Sequence, residues 1–395
     1  MNWGYSIMKQ SSYRNIKIGD VLLDIESGVS VNSTNSKATE NQYGVLKTGC
    51  VKDGFFVPIQ NKTILEDELK RAKLNPKKNT IILNRSNTQE LVGMVGYIEK
   101  DFPDLFLSDK LWSISVNENI IDTRFLTYLL LSKKYSKKIS DIATGTSGTM
   151  KNISQKAFNK IEIRVPTIAI QKKITNLLAT LDLKIQKQNE KVEFLKAQKK
   201  GLMQKIFNQG LRFKDENGQE YPEWEKASIK QLFDLYSSGD LDKNLLAKES
   251  NSKFKYPVYG NALTNNGLLG YYEEYKEESN AVTITARGDI GKPYYRVTPF
   301  NAVGRLIVLR LKNSEFSMEF FYVAISMLKI FKETTGVPQL TVPGLSVYTL
   351  PVASKAEQKY IGNLFMKFDA KISLEESKFI ELQKQKQAFM QQMFI

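Results

Sequence analysis

The chain has 395 residues, 42% of them hydrophobic, which is enough for two or three folded domains and excludes a disordered chain. Lysine and arginine outnumber aspartate and glutamate by 57 to 42, and the net charge of +15 predicts a nucleic-acid partner or, alternatively, only a lysine-rich soluble surface. There is no histidine and one cysteine, Cys50, so histidine-based hydrolysis, disulfides within the chain and cysteine-rich zinc sites are excluded.

The first domain is predicted over residues 1–164 and has a mixed α/β pattern. Residues 16–25 predict a short helix or strand, and apolar runs at 80–83 and 111–116 predict strands. Asp122 is placed to cap a helix over residues 123–139, with leucines and aromatics on one side and lysines on the other. These elements together predict a compact α+β domain.

A long helix follows at 165–210, and its sequence occurs twice. Residues 171–207 align without a gap to residues 358–394 at an offset of 187. Identical pairs include Gln171/Gln358, Asp182/Asp369, Lys199/Lys386 and Phe207/Phe394. Apolar residues recur at steps of three and four, which places them on one stripe of each helix. The stripe consists of Ile174, Leu177, Leu181, Ile185, Val192, Leu195 and Leu202 in the first copy and Ile361, Leu364, Phe368, Ile372, Phe379, Leu382 and Phe389 in the second.

A helix of about 37 residues, roughly 55 Å long, cannot hide such a stripe alone. We therefore predict that the two copies pair antiparallel and act as a helical spacer. The alternatives are two ordinary core helices or a zipper between two chains. The internal repeat favours pairing within one chain.

The rest of the chain retraces the first half. A connector is predicted at 211–226, with a tight turn at Asp215–Gly218, and a second domain at 227–350. Residues 281–285 predict a strand equivalent to 80–84, and Ser317 is placed to cap a helix that extends to residue 332. The distal helix occupies 351–395. The predicted fold is thus α+β: two mixed α/β domains separated by two long antiparallel coiled-coil helices that form a pseudo-twofold internal repeat.

The candidate site residues predict binding rather than catalysis. The segment from Arg287 to Lys292 lacks the first glycine of a phosphate loop, and Pro293 replaces its Ser or Thr, so nucleotide binding is not predicted. Arg85 and Arg287 each follow a predicted strand, and arginine is well shaped to contact guanine in the major groove. The alternative is an arginine paired with a local carboxylate. The predicted DNA-binding residues are Asn84, Arg85, Lys110, Lys151, Arg287, Lys292, Arg305 and Gln339, with no catalytic residue, metal or cofactor.

Several strings resemble the DNA specificity subunits of type I restriction-modification systems. They are ILNRSNTQELVG (82–93), SDKLW (108–112), VPTIAIQKKI (165–174), KIFNQGLRFKDENGQEYPEWE (205–225), TARGDIGK (285–292) and GVPQLTVPGL (336–345). The resemblance implies two target-recognition domains, each reading one half of a bipartite sequence in double-stranded DNA. It also implies two methyltransferase subunits and restriction-translocation subunits as partners. In that family the specificity subunit itself neither methylates nor cleaves DNA.

Two other classes of function stay open from the sequence. One is a basic coiled-coil adaptor that recruits proteins without reading DNA, and the other is an enzyme with an unrecognised site. No run of eighteen apolar residues and no secretory segment is seen, so no membrane partner is expected. The single cysteine fits a cytoplasmic protein.

Overall fold

The computed structural model describes residues 13–145, 150–242, 246–330 and 338–394, and it divides into two units. Unit 1 comprises the described part of Met1–Gln188 and Lys378–Ile395, and unit 2 that of Asn189–Ser377. Each unit therefore combines one α+β domain with a segment of each of the two long helices. None of the helices in these described ranges combines the length and the hydrophobicity that a membrane-spanning helix needs.

The domain of unit 1 is built around a six-stranded sheet. The strands of the whole domain are β1 (Arg14–Lys17), β2 (Leu22–Ser27), β3 (Gly44–Leu46), β4 (Val51–Lys52), β5 (Gly54–Phe56), β6 (Asn61–Thr63), β7 (Ile81–Asn84), β8 (Ser86–Asn87), β9 (Val95–Tyr97), β10 (Leu105–Phe106), β11 (Leu111–Val116), β12 (Lys151–Asn152) and β13 (Glu162–Val165). The main sheet has the order β2-β11-β7-β9-β5-β4, beside smaller sheets β10-β3-β6, β1-β13 and β12-β8. The predicted strand at 111–116 is confirmed as β11, which pairs antiparallel with both β2 and β7. Residues 16–25 contain a 3-10 turn, Ile18–Val21, between β1 and β2.

The helices of unit 1 differ from the prediction at one point. Asp122 caps a helix as predicted, because its Oδ1 accepts from the Phe125 N–H at 2.7 Å. The predicted single helix at 123–139 is wrong, since the structure has α1 (Thr123–Leu131) and α2 (Lys133–Asp141). Ser132 between them is extended, and its hydroxyl donates to the Leu129 carbonyl in the last turn of α1 at 2.6 Å, a local bond between side chain and backbone that competes with continuation of the helix. A short helix, α3 (Gln155–Asn159), precedes β13.

The domain of unit 2 repeats the strand order of unit 1. Its elements are β14 (Glu225–Ser228), α5 (Ile229–Leu232), β15 (Phe233–Ser237), β16 (Tyr256–Tyr259), β17 (Leu268–Tyr272), β18 (Ala281–Ile284), β19 (Pro293–Arg296), β20 (Asn301–Ala302), β21 (Ile307–Leu311), α6 (Met318–Ser326), α7 (Val342–Ser346) and β22 (Thr349–Val352). The central sheet β15-β21-β18-β19 has the same order and antiparallel sense as β2-β11-β7-β9, and smaller sheets are β17-β16-β20 and β14-β22. Ser317 caps α6 as predicted, but α6 ends at Ser326, and residues 331–332 of the predicted helix lie outside the described residues.

The long helices are α4 (Ile168–Phe207) and α8 (Lys355–Met393). They begin three and four residues after the predicted starts at 165 and 351, and three residues before the repeated segments that start at 171 and 358. Every residue of the predicted stripe is at least half-buried. Ile174, Leu181, Val192, Leu195, Ile361 and Ile372 are buried, and Leu177, Ile185, Leu202, Leu364, Phe368, Phe379, Leu382 and Phe389 are half-buried.

The ends of the long helices form part of the domain cores. In unit 1, Leu178 near the start of α4 and Phe394 just beyond the end of α8 lie in one apolar cluster with Phe125. In unit 2, Phe365 near the start of α8 and Ile206 near the end of α4 lie in the equivalent cluster. Leu178 and Phe365 are fully buried repeat equivalents, and the predicted stripe omitted them. The stripe was too narrow because each helix packs against a domain as well as against the other helix.

A duplicated glutamine fastens each long helix to its domain. Gln171 Oε1 accepts from the Asp122 N–H at 2.9 Å, and Gln358 Oε1 accepts from the Ser317 N–H at 3.1 Å. Each glutamine Nε2 also donates to the carbonyl five residues before it, at 2.9 and 2.8 Å. Both side chains are buried, so the repeat preserves the same bond between long helix and helix cap in both units.

Lysine–aspartate pairs join the two long helices. In unit 1, Lys386 Nζ lies 2.6 Å from Asp182 Oδ1, and in unit 2, Lys199 Nζ lies 2.5 Å from Asp369 Oδ1. The residues are repeat equivalents, so in each unit the aspartate of one copy binds the lysine of the other, as a twofold-related pair requires. Further pairs in unit 2 are Lys191–Glu375 and Lys196–Glu376. As the position along α4 advances from 191 to 199, its partner on α8 recedes from 375 to 369, so the helices run antiparallel.

Two helical glycines provide a matched test of packing. A Cβ on Gly362 would lie 2.8 Å from Ser317 Oγ and 2.9 Å from Glu319 Cβ, whereas a Cβ on Gly201 meets nothing within 4 Å. Gly362→Ala should lower the free energy of unfolding by about 1–3 kcal/mol through overpacking, and Gly201→Ala should raise it by about 0.5–1 kcal/mol through helix propensity. Urea unfolding measures both. A Gly362→Ala variant as stable as Gly201→Ala would contradict this packing of α8 on α6.

A second test concerns the ion pair of unit 1. Only 15% of the Lys386 side chain and 6% of the Asp182 side chain are exposed. Lys386→Met should lower the free energy of unfolding by roughly 3 kcal/mol, because it leaves a buried carboxylate without its cation. The control is Lys196→Met, whose ion pairs are exposed and should matter by less than about 1 kcal/mol. Equal losses in urea unfolding would show that the Lys386 pair has no special role.

Candidate nucleic-acid interface

In unit 1 the predicted residues lie where β7 ends. Asn84 is buried, and its Nδ2 donates to the Thr48 carbonyl at 2.9 Å, so its amide supports the neighbouring 3-10 turn Thr48–Cys50. Arg85 comes next and is half-buried, with its Cζ 5.9 Å from the centre of the Trp112 ring. Its buried Nε has no hydrogen-bond partner in the part of the chain that the structure describes. The guanidinium is therefore held by an aromatic face.

The backbone of Arg85 gathers the other two candidates of unit 1. Its N–H donates to the Lys110 carbonyl at 3.0 Å, and its carbonyl accepts from the Ile153 N–H at 2.9 Å. Lys151 lies on β12, which pairs with β8 and ends just before Ile153. The Lys151 Nζ donates to the Gly145 carbonyl at 3.3 Å. Lys110 is exposed. Unit 1 thus brings Arg85, Lys110 and Lys151 to one end of its sheets.

In unit 2 a tight loop follows β18 and exposes two cations. Thr285 Oγ1 donates to the Asp289 carbonyl at 2.6 Å and accepts from the Lys292 N–H at 2.9 Å. Gly288 and Gly291 have φ values of 70° and 87°, the left-handed conformation that glycine tolerates best. The loop leaves the Arg287 and Lys292 side chains exposed.

Gln339 lies beside Arg287. The Leu340 N–H donates to the Ala286 carbonyl at 2.8 Å, which brings the Gln339 segment to the loop, and Arg287 NH2 donates to Gln339 Oε1 at 3.4 Å. The partner of this arginine among the described residues is thus an amide rather than the carboxylate of the alternative interpretation. Arginine and amide side chains that share one surface can contact both phosphates and base edges.

Asn261 organises this surface, and it was not among the predicted residues. Its Oδ1 accepts from the backbone N–H groups of Ala286 and Arg287 at 2.7 and 3.2 Å, and its Nδ2 donates to the Gly304 carbonyl at 2.7 Å. The next residue, Arg305, is exposed and has a φ of 66°. One amide therefore ties the Arg287 loop to the Arg305 turn. No local pattern distinguishes Asn261 from other asparagines, because its role comes only from tertiary contacts.

Within the described ranges, no three Asp, Glu or Cys side chains come together as a metal site. The candidate surfaces of the two units instead carry cations and amides held by backbone hydrogen bonds.

Comparison with known proteins identifies the family. The family model described as type I restriction modification DNA specificity domain matches residues 10–196 and 221–384. A type I restriction enzyme specificity subunit of Methanocaldococcus jannaschii is 29% identical over 233 residues, which cover 56% of this chain and 49% of that protein. A Mycoplasma pneumoniae protein described as a type I specificity subunit is 25% identical over 248 residues, which cover 63% of this chain and 64% of that protein. The chain thus matches less than two thirds of the length of each.

A solved structure supports the fold over nearly the whole chain. The crystal structure of the type I restriction-modification system S subunit from M. genitalium has a TM-score of 0.72 and 20% sequence identity, and the match covers 98% of this chain and 97% of that one. The family model matches both halves of the sequence, each of which contains one domain and one copy of the repeated helix. The chain belongs to the family of type I restriction-modification DNA specificity proteins.

Proposed function

We propose that the chain is the noncatalytic DNA-reading subunit of a type I restriction-modification complex. The observation that carries this proposal is that the two units share one arrangement of strands and long helices, the duplicated frame, but present different candidate surfaces. The four central strands have the same order in both units. Along the chain, the second of these four strands is β7 in unit 1 and β18 in unit 2, and an arginine follows each of them, Arg85 and Arg287. Arg85 is half-buried against Trp112, whereas Arg287 is exposed beside Gln339. Such a pair of surfaces suits the reading of two unrelated half-targets in double-stranded DNA.

The proposed division of labour follows the predicted boundaries. Residues 1–164 and 227–350 are the two target-recognition domains, 165–210 and 351–395 are the helical spacer, and 211–226 is the connector. The predicted DNA-binding residues of each domain contact its own half-target. The helices set the length of the unread gap between the half-targets, because each domain core includes turns of both helices.

The partners we propose are those of a type I complex. Two methyltransferase subunits carry the adenine-N6 methylation, and restriction-translocation subunits carry the ATP-dependent cleavage, in the cytoplasm. Family membership supports this assignment. The chain itself supplies sequence recognition, and no cofactor is assigned to it.

Methylation mapping tests the proposal. In cells that carry the chain with its partner subunits, methylated adenines should occur in one two-part motif with a fixed gap. Arg287→Ala should relax or abolish recognition in one half of the motif only, with a preference weakened on the order of 10-fold, and Arg85→Ala should affect only the other half. Because Arg287 is exposed, its substitution should leave folding intact.

The matched control is Arg71→Ala, since Arg71 already pairs with Glu68 at 2.7 Å and lies outside the predicted surfaces. It should leave the motif unchanged. Methylation without any sequence preference would favour a basic adaptor, and a motif that changed in both halves with either arginine would contradict modular reading.

A further inference from the structure

An exposed turn of unit 2 has an unusual backbone. Asn265 and Asn266 have φ/ψ values of 50°/37° and 52°/32°, so two successive residues other than glycine are left-handed. Asparagine tolerates this conformation better than most residues, but a pair of them persists only where the surrounding structure holds it. Both side chains are exposed, and the residues that the structure describes make no hydrogen bond to either amide. The turn therefore presents two free amide groups to the surface.

The base of this turn is closed by glycines. The Gly260 N–H donates to the Gly267 carbonyl at 2.8 Å, which joins the two ends of the loop. Gly267 has a φ of 83°, and a Cβ there would lie 2.6 Å from the Gly260 carbonyl oxygen. No residue with a side chain fits this closure without movement of the backbone.

The buried side chain of Arg296 supports the turn. It is only 4% exposed, its Nε donates to Thr283 Oγ1 at 2.9 Å, and its NH2 donates to the Asn266 carbonyl at 3.0 Å. Its Cζ lies 3.5 Å from the centre of the Tyr259 ring and 5.1 Å from that of Tyr294. These contacts are all neutral.

A buried arginine that contacts only neutral groups requires a structural explanation. Burial lowers the pKa of Arg296 to about 10, so the side chain stays charged at neutral pH. Burying a charge among neutral groups is unfavourable, and stacking on aromatic rings offsets only part of that cost. A leucine or methionine would fill the space more cheaply. The guanidinium differs from them in that it can bond the strand through Thr283 and the turn through Asn266 at the same time.

The loop that contains this turn is joined to the candidate surface of unit 2. Asn261, in the same loop, bonds the backbone of Ala286, Arg287 and Gly304. The loop 260–267 is thus joined directly to the two arginine-bearing segments. Its exposed amides and the exposed Arg287 and Arg305 side chains come from three segments fastened by one residue.

We propose that Asn265 and Asn266 read base edges in the second half-target and that Arg296 is the residue that positions them. Adenine is the expected base, because an asparagine amide can both donate to its N7 and accept from its N6 amino group. This inference rests on the proposed function and adds to it a reading element that is separate from the arginines.

The test removes the amides and keeps the backbone. The double variant Asn265→Gly/Asn266→Gly retains residues that accept the left-handed conformation. Methylation mapping in cells with the complete system should show a preference for adenine at one position of one half-target reduced on the order of 10-fold, with the other half-target unchanged. Arg296→Met should change the same position, and Arg296→Lys, which keeps one donor and the charge, should restore part of the preference.

The control is Asn41→Gly in unit 1, an exposed asparagine with a φ of 66°, which should leave that half-target unchanged. If the unsubstituted chain directs a two-part motif and the double glycine variant directs the same motif, the turn does not read bases and this inference fails alone. If Arg296→Met lowers methylation equally at all sites without changing the motif, Arg296 is structural only and its positioning role is refuted. If the unsubstituted chain gives no two-part motif, the proposed function fails as well.

Discussion

The structure depends on the shared use of two helices by each domain core. Neither α4 nor α8 can bury its apolar face alone, and each domain core takes in the start of one helix and the end of the other. Phe394 packs against Phe125 in unit 1, and its repeat equivalent Phe207 stacks on Phe320 in unit 2, both with ring centres 5.5 Å apart. Each domain is therefore complete only when both helices are present, and a lysine–aspartate pair fixes their register.

The repeat separates what is kept from what varies. Three features occur in both units with equivalent partners. They are the bonds of Gln171 and Gln358 to the helix caps, the lysine–aspartate pairs and the terminal phenylalanines. The aspartates differ in detail, because Asp182 also accepts from the Tyr128 hydroxyl at 2.6 Å, whereas Asp369 Oδ2 has no partner among the described residues. The candidate surfaces differ more strongly. Unit 1 has Arg85 against the Trp112 ring, and unit 2 has the Arg287 loop hydrogen-bonded to Asn261. A duplicated frame with divergent surfaces is the arrangement that the proposed two-part DNA recognition needs.

The sequence predicted the features that depend on local order along the chain. The long helices followed from their apolar periodicity, the strand at 111–116 from its β-forming residues, and the helix caps at Asp122 and Ser317 from their side chains. It missed the break at Ser132, the buried position of Leu178 and the role of Asn261. The burial of Leu178 and the role of Asn261 are decided by tertiary packing, which no local pattern encodes, whereas the break at Ser132 goes with a local bond from its hydroxyl to the Leu129 carbonyl. The DNA contacts of the predicted residues stay predictions.

The central claim is that the paired helices set the spacing between two independently read half-targets. The most direct measurement inserts four residues at facing positions in α4, between Ile185 and Leu195, and in α8, between Ile372 and Leu382, so that each domain keeps its own helix segments. The insertion adds about 6 Å of helix, which corresponds to roughly two base pairs. Methylation mapping should then show the same two half-targets separated by a gap that is one or two base pairs longer. An unchanged gap, or a change in either half-target, would contradict the account.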